Sequence, residues 1–214
     1  MGVVLDNLGV YADGLKITVA LTLLSFVIAF TLGTALAACR VSPIPPLRAA
    51  ATAYTELVRN TPLTVLFVLF FFGLPKIGVR YPPFTSAVVV LSAYTGAFLG
   101  ETIRSGINTV AVGQAEAARS LGLTFPQVLV GIVLPQAFRT VVAPIGNLFI
   151  ALTKNTSVAI TISVHELTFE TYRLVTDLAR PIPIFLGAAT AYLILTIPSG
   201  LAFGAIERRV AIKR

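Results

Sequence analysis

The chain has 214 residues, 56% of them hydrophobic and only 12% charged, against about 25% charged in an ordinary soluble domain. That balance excludes a soluble globular enzyme and places the chain in a lipid bilayer. The formal charge of +7 raises nucleic acid as a partner, but the basic residues fall between long apolar runs and form no basic face on a soluble scaffold, which excludes it.

An apolar helix needs about 20 residues to cross the hydrocarbon core, and five stretches qualify. The first runs from Leu15 to Ala38. Its end, Leu36-Ala37-Ala38-Cys39, resembles a lipoprotein cleavage box, but a removable signal carries its positive charge ahead of the apolar run. Here Asp6 and Asp13 precede it with only Lys16, while Arg40 and Arg48 follow, so a retained span is expected. Met1-Gly2 is no myristoylation signal, because Asp6 occupies the Ser/Thr position. The second stretch, Ala49 to Leu74, is interrupted by Glu56, Arg59 and Pro62. The third, Phe84 to Ile107, carries Gly96 and Gly100, a spacing that lets helices approach closely, either within the chain or against a second subunit.

The fourth, Val128 to Leu152, contains Pro135, Arg139 and Pro144. Interruptions of this kind are tolerated where a helix lines protein or a watery cavity, so the second and fourth stretches are the expected pathway helices. From Lys154 to Pro181 the apolar run is lost and His165, Glu166, Glu170, Arg173, Asp177 and Arg180 enter, predicting an external or re-entrant region of short helices. The fifth stretch runs from Pro183 to Ile206. We find no repeat and no soluble linker, and read residues 1–214 as a single transmembrane domain.

Five spans put the two ends on opposite sides, and lysine and arginine favour the cytoplasmic side. With the N-terminus outside, the inner set is Arg40, Arg48, Arg59, Arg104, Arg119, Arg139, Arg208, Arg209, Lys213 and Arg214. The outer set is Lys16, Lys76, Arg80, Lys154, Arg173 and Arg180. Ten of the sixteen basic residues then lie inside, which predicts N-out, C-in and a cytoplasmic segment around Glu116.

That segment, Glu116 to Pro135, reads Glu-Ala-Ala, three residues, Gly122, nine residues, Ile132, one residue, Leu134-Pro135. Gly122 suits the left-handed position after a helix end, and Thr124 to Gln127 reads as a capping box opening a second helix. Pro135 limits or kinks that helix, since it removes a donor and crowds the preceding turn. Two short helices meeting at a corner, between spans, are built to contact something outside the bilayer.

The spacing resembles the EAA signature of membrane subunits of ATP-binding-cassette (ABC) importers. Glu56-Leu57-Val58-Arg59-Asn60-Thr61-Pro62, Glu101-Thr102-Ile103-Arg104-Ser105-Gly106-Ile107, Gly113-Gln114 and Lys154-Asn155-Thr156-Ser157 are similar to the polar amino-acid branch, which includes histidine, glutamine, arginine and glutamate permeases. Asn60 stands where many relatives have glycine, and Val158 where leucine is common. The resemblance implies an all-α permease of type I importer architecture in a bacterial cytoplasmic (inner) membrane. It implies as partners a cytoplasmic ATPase carrying ATP and Mg, a second permease subunit, identical or homologous, and an extracytoplasmic amino-acid-binding protein. It also implies that Glu116, Ala117, Ala118, Gly122, Leu134 and Pro135 form the coupling element that docks the ATPase.

No glycine is followed by lysine, so a phosphate-cradling loop is absent. One histidine and one cysteine far apart offer no metal or nucleophile cluster. The expectation is a transport subunit with no cofactor of its own and no metal.

For the substrate pathway, charged groups in a bilayer mark pathways or pairs. Glu101 and Arg104, three apart, share a helical face. They are either substrate ligands or an ion pair at the inner interface. Asn60, Thr61 and Pro62 break the second stretch, freeing a positive helix end for a carboxylate, or form a simple kink. Lys154, Thr156 and Ser157 hold an anionic group, with Arg80 approaching from the outer loop, or anchor an interface. An amino acid brings an ammonium, for Glu101, and a carboxylate, for Arg104, Arg80 or Lys154. The surplus of cationic candidates tilts the reading toward an acidic amino acid such as glutamate. An ATP-independent channel or ion-coupled carrier is the alternative. His165 beside Glu166 reads as a structural pair or a titrating group.

Overall fold

The computed structural model describes residues 2–210; Lys213 and Arg214 of the expected inner basic set lie outside the described residues, as does Met1. Within them every regular element is helical. A short α1 (Gly2–Leu5) leads into α2 (Leu8–Val41), then α3 (Pro45–Arg59), α4 (Leu63–Val68), α5 (Pro83–Asn108), α6 (Val112–Ser120), α7 (Phe125–Val128), α8 (Leu134–Asn155), α9 (Leu167–Leu178) and α10 (Pro181–Val210). Cys39 sits inside the unbroken α2.

Four helical stretches are long and apolar enough to cross a membrane: α2, α5, the 38-residue run Phe125–Ile162, and α10. The second expected span is different. Pro45–Arg59 and Leu63–Ile77 are bent by 104° at the break, so of the two readings of the interrupted Ala49 to Leu74 stretch the structure has the broken helix and not the simple kink. The cause is local: Pro62 is extended (φ −58°, ψ 136°), the Asn60 amide donates to the Glu56 carbonyl at 2.8 Å, and the Thr61 hydroxyl to the Leu57 carbonyl at 2.7 Å. These side chains satisfy the last carbonyls of α3, where Pro62 cannot continue the helix.

Pro135 acts otherwise. A π turn, Leu129–Val133, precedes it, and the Leu134 N–H reaches back five residues to the Leu129 carbonyl. One extra residue in the turn absorbs the proline without a bend large enough to separate two helices. The fourth span therefore extends from Phe125 to Ile162, closing in a 3-10 stretch, Thr156–Ile162. The expected short-helix region contains that stretch and α9.

α2 and α5 form the centre. A Cβ on Gly33 would lie 2.7 Å from Leu99 Cβ, and one on Gly96 would lie 2.9 Å from Leu32 Cδ2. The small-residue spacing of α5 is thus used inside the chain. Across the same contact the Ser92 hydroxyl donates to the Ser25 carbonyl at 3.3 Å. Leu21, Phe67, Leu91 and Leu152 pack beside it as a buried core.

Candidate coupling corner and translocation site

The α6 end closes as a Schellman motif. Gly122 has φ +83°, its N–H donates to the Arg119 carbonyl at 2.9 Å, and the Leu123 N–H to the Ala118 carbonyl at 3.3 Å, the paired bonds that a left-handed residue makes possible. The Gln127 side-chain oxygen then accepts from the Thr124 N–H at 2.8 Å and from its hydroxyl at 2.9 Å, starting α7. Ala118 packs with Val128 and Val133 under the corner.

This packing separates the two alanines. Ala118 is 4% exposed and holds the corner together, so it is corrected from a presented residue to an internal one. Glu116 and Ala117 are exposed, Leu134 is half-buried and Pro135 is exposed. Two exposed apolar residues join them, Val112 at 71% and Leu121 at 83%. Leu121 is not singled out by the sequence, where it is one more apolar residue; its exposure follows from its place at the end of α6, directly before Gly122.

Glu101 and Arg104 do pair, with Arg104 Nη2 2.5 Å from Glu101 Oε1. Arg40, from the last turn of α2, binds the other carboxylate oxygen, and Arg59 Nη1 stands 3.7 Å from that same oxygen. The Arg59 guanidinium also lies 5.3 Å from the Phe98 ring centre, a cation–π contact. Three guanidiniums thus surround the Glu101 carboxylate, the ion-pair arrangement of the two expected for Glu101 and Arg104, enlarged by Arg40 and Arg59. Arg40 and Arg59 lie far from Glu101 in sequence, and no spacing pattern could have found them.

Arg104 stands four residues before the end of α5, about 6 Å at 1.5 Å per residue. The cluster therefore sits at the corner end of the molecule. Beside it a cavity of 320 Å³ is lined by Glu101, Thr102, Ser105, Thr140 and Pro144. A second cavity of 140 Å³ lies further along α5 and α8, lined by Tyr94, Thr95, Phe98, Leu148 and Asn155.

The remaining candidates are apart from this cluster. Thr156 is fully buried and its hydroxyl donates to the Thr153 carbonyl at 2.7 Å, while the Ser157 hydroxyl donates to the Lys154 carbonyl at 2.7 Å. Both hydroxyl hydrogens are directed at the helix end, so in this arrangement neither donates to an anionic group. Lys154 is exposed just before them, in the last turn of α8, and Arg80 is exposed ahead of α5. Asn60 and Thr61 close α3, as described, leaving the six-residue α4 with a weak end charge.

At the far end His165 pairs with Glu170, not Glu166: His165 Nδ1 is 3.0 Å from Glu170 Oε1, and Arg173 Nη2 is 2.9 Å from Glu170 Oε2. Glu166 is fully buried and caps α9, accepting from the N–H groups of Thr168 at 2.9 Å and Phe169 at 2.8 Å and from the Tyr192 hydroxyl at 3.0 Å. Burial pushes the Glu166 carboxyl above the usual carboxylate range, against the opposing pull of those donors.

Residues 29–212 match the family described as binding-protein-dependent transport system inner membrane component. The chain belongs to this family. The permease is similar to the probable glutamine ABC transporter permease protein GlnM of Bacillus subtilis, with 36% identity over 98% of this chain and 97% of the relative. It is also similar to the glutamate transport system permease protein GluC of Corynebacterium efficiens, with 41% identity over 92% of each. Among solved structures, a chain described as an amino acid ABC transporter with histidines superposes with a TM-score of 0.89 at 31% identity, covering 96% of both chains. The methionine transporter MetNI in an inward-facing form shares the fold alone, with a TM-score of 0.84 at 19% identity, over 97% of this chain and 99% of that one. The permease is a multi-pass membrane subunit for transport and not a catalytic one; in such systems the ATPase is a separate subunit.

Proposed function

We propose that this permease imports a polar amino acid, with preference for acidic ones such as glutamate, as part of an ABC importer in a bacterial cytoplasmic membrane. The observation that carries the ATPase partnership is the corner: a helix closed by a Schellman glycine that displays Val112, Glu116, Ala117 and Leu121 outward. An exposed apolar rim around one carboxylate suits insertion into a cleft on a soluble partner. The corner stands at the end where Arg40, Arg59 and Arg104 gather, which supports N-out, C-in by the bias of basic residues.

The named relatives for glutamine and glutamate support the amino-acid class. The acidic preference rests on charge: three guanidiniums outnumber the carboxylates of Glu101, which they contact, and Glu56, which acts on Arg104 from further off, and leave positive charge beside a cavity, which favours a substrate with a surplus carboxylate. A second permease, two ATPases, which supply ATP and Mg, and an extracytoplasmic binding protein complete the assembly. Closure of the ATPases moves the corners, and the path opens alternately to the two sides.

The test is purification from native membranes of the parent and of Gly122→Asp, followed by uptake of labelled glutamate and glutamine in vesicles. Recovery of a nucleotide-binding ATPase with the parent only, and ATP-dependent uptake of glutamate over glutamine, are expected. Uptake that runs without ATP would replace this reading with a channel or carrier.

A further inference from the structure

Under the corner the contacts are apolar, made by Ala118, Val128 and Val133, and apolar contact is non-directional. Among the described residues one side-chain hydrogen bond joins α6 to α8: Gln136 Nε2 donates to Gln114 Oε1 at 2.6 Å. The same amide nitrogen donates to the Ile132 carbonyl, inside the π turn, at 2.9 Å. Both of its hydrogens are thus used, one on the turn that accommodates Pro135 and one on the corner helix. A hydrogen bond, unlike an apolar contact, fixes direction and register.

Gln136 begins the part of α8 that grips α5. One turn further on, a Cβ on Gly106 would overlap the Val141 side chain and lie 3.0 Å from the Ala137 carbonyl. Motion delivered to Gln136 therefore reaches a close backbone contact with α5, next to the cavity lined by Thr140, Pro144 and Glu101.

We infer that Gln136 is a positioning residue for transport: its bond to Gln114 ties α6, the first arm of the coupling corner, to α8, so that displacement of α6 turns α8 instead of slipping over it. This inference rests on the reading of the corner as the ATPase-docking element. Its readout is amino acid imported per ATP hydrolysed, which a residue that only supports the fold does not alter.

The experiment uses the full importer, with its ATPase and binding protein, in liposomes, with labelled glutamate and glutamine as probes. Gln136→Leu keeps the side-chain bulk and removes the bond. Its complex is expected to retain the ATPase and to hydrolyse ATP, with import per ATP lowered about fivefold, the effect of one lost hydrogen bond. Gln136→Lys alone is expected to behave likewise, and Gln136→Lys combined with Gln114→Glu to recover the parental ratio by restoring the contact as an ion pair. An unchanged ratio in Gln136→Leu overturns the inference, and so does loss of the ATPase from that variant without recovery in the paired one. Continued import by Gly122→Asp overturns the docking reading and this inference with it. A dead Gly122→Asp beside a normal Gln136→Leu overturns this inference only.

Discussion

The two ends of the permease are built on opposite plans. At the α9 end polar groups are buried and satisfied: Glu166 caps α9, the Tyr11 hydroxyl donates to the Ile184 carbonyl at 2.8 Å, and the Thr18 hydroxyl oxygen accepts from the Leu167 N–H at 3.2 Å. Apolar residues are exposed at both ends, Ile182 at 75% and Leu121 at 83%, but at the corner end the arginine cluster keeps partial access to water. The contrast lies in the polar groups, buried and hydrogen-bonded at the α9 end, charged and partly open to water at the corner end. Satisfied buried polar networks specify one arrangement, whereas an exposed apolar rim with few internal bonds is free to take its final packing from another chain.

The largest expected effect tests the corner. Gly122→Asp puts a side chain and a charge at φ +83°, and is expected to abolish import while leaving membrane insertion unchanged; import assays beside a topology assay check it. Second comes the packing between the ends. Gly106→Val forces bulk into the Ala137–Val141 contact and is expected to lower stability by about 1–3 kcal/mol, read by thermal unfolding in detergent.

Third, Glu166→Ala removes the α9 cap and is expected to cost about 1 kcal/mol without changing ATPase recovery. Because burial raises this carboxyl above its ordinary range, the native state holds its proton longer than the unfolded chain does. Its contribution is therefore full below the ordinary carboxylate range and is lost as pH rises toward the raised value; Glu166→Gln is expected to flatten that part of the stability profile. The smallest effect on the fold is at Leu121. Leu121→Ser leaves an exposed site exposed, so unfolding stays within about 0.5 kcal/mol of the parent, while ATPase recovery falls. Equal loss of stability at Leu121 and Glu166 would erase the distinction between the ends.

The prolines show what could be read from the residues and what could not. Pro62 and Pro135 both interrupt long apolar runs, and from the residues alone either one breaks or merely kinks its pathway helix. Only Pro62 bends the chain sharply, because Asn60 and Thr61 ahead of it bond back to Glu56 and Leu57. Pro135 follows apolar residues that offer no such bond, and the chain takes up the strain in a π turn. Pro75 is handled in the same way, after the π turn Leu69–Gly73. Thr156 and Ser157 show the same limit: the sequence leaves anion ligand and interface anchor both open, because hydroxyl direction depends on the 3-10 stretch that turns them onto their own backbone.

What the sequence determined by itself was local: apolar lengths, the left-handed glycine at 122, the capping pair Thr124 and Gln127, and the signature that names the family. Each depends on residues within a few positions of one another, where steric and hydrogen-bond rules act without knowledge of the rest. Only the tertiary structure decided that Arg40, Arg59 and Arg104 share Glu101, that Gln136 meets Gln114, and that Gly96 packs within the chain. Those partners come from different helices, and which side chains meet across a bundle is set by helix rotation and close packing, quantities that no short stretch of sequence contains.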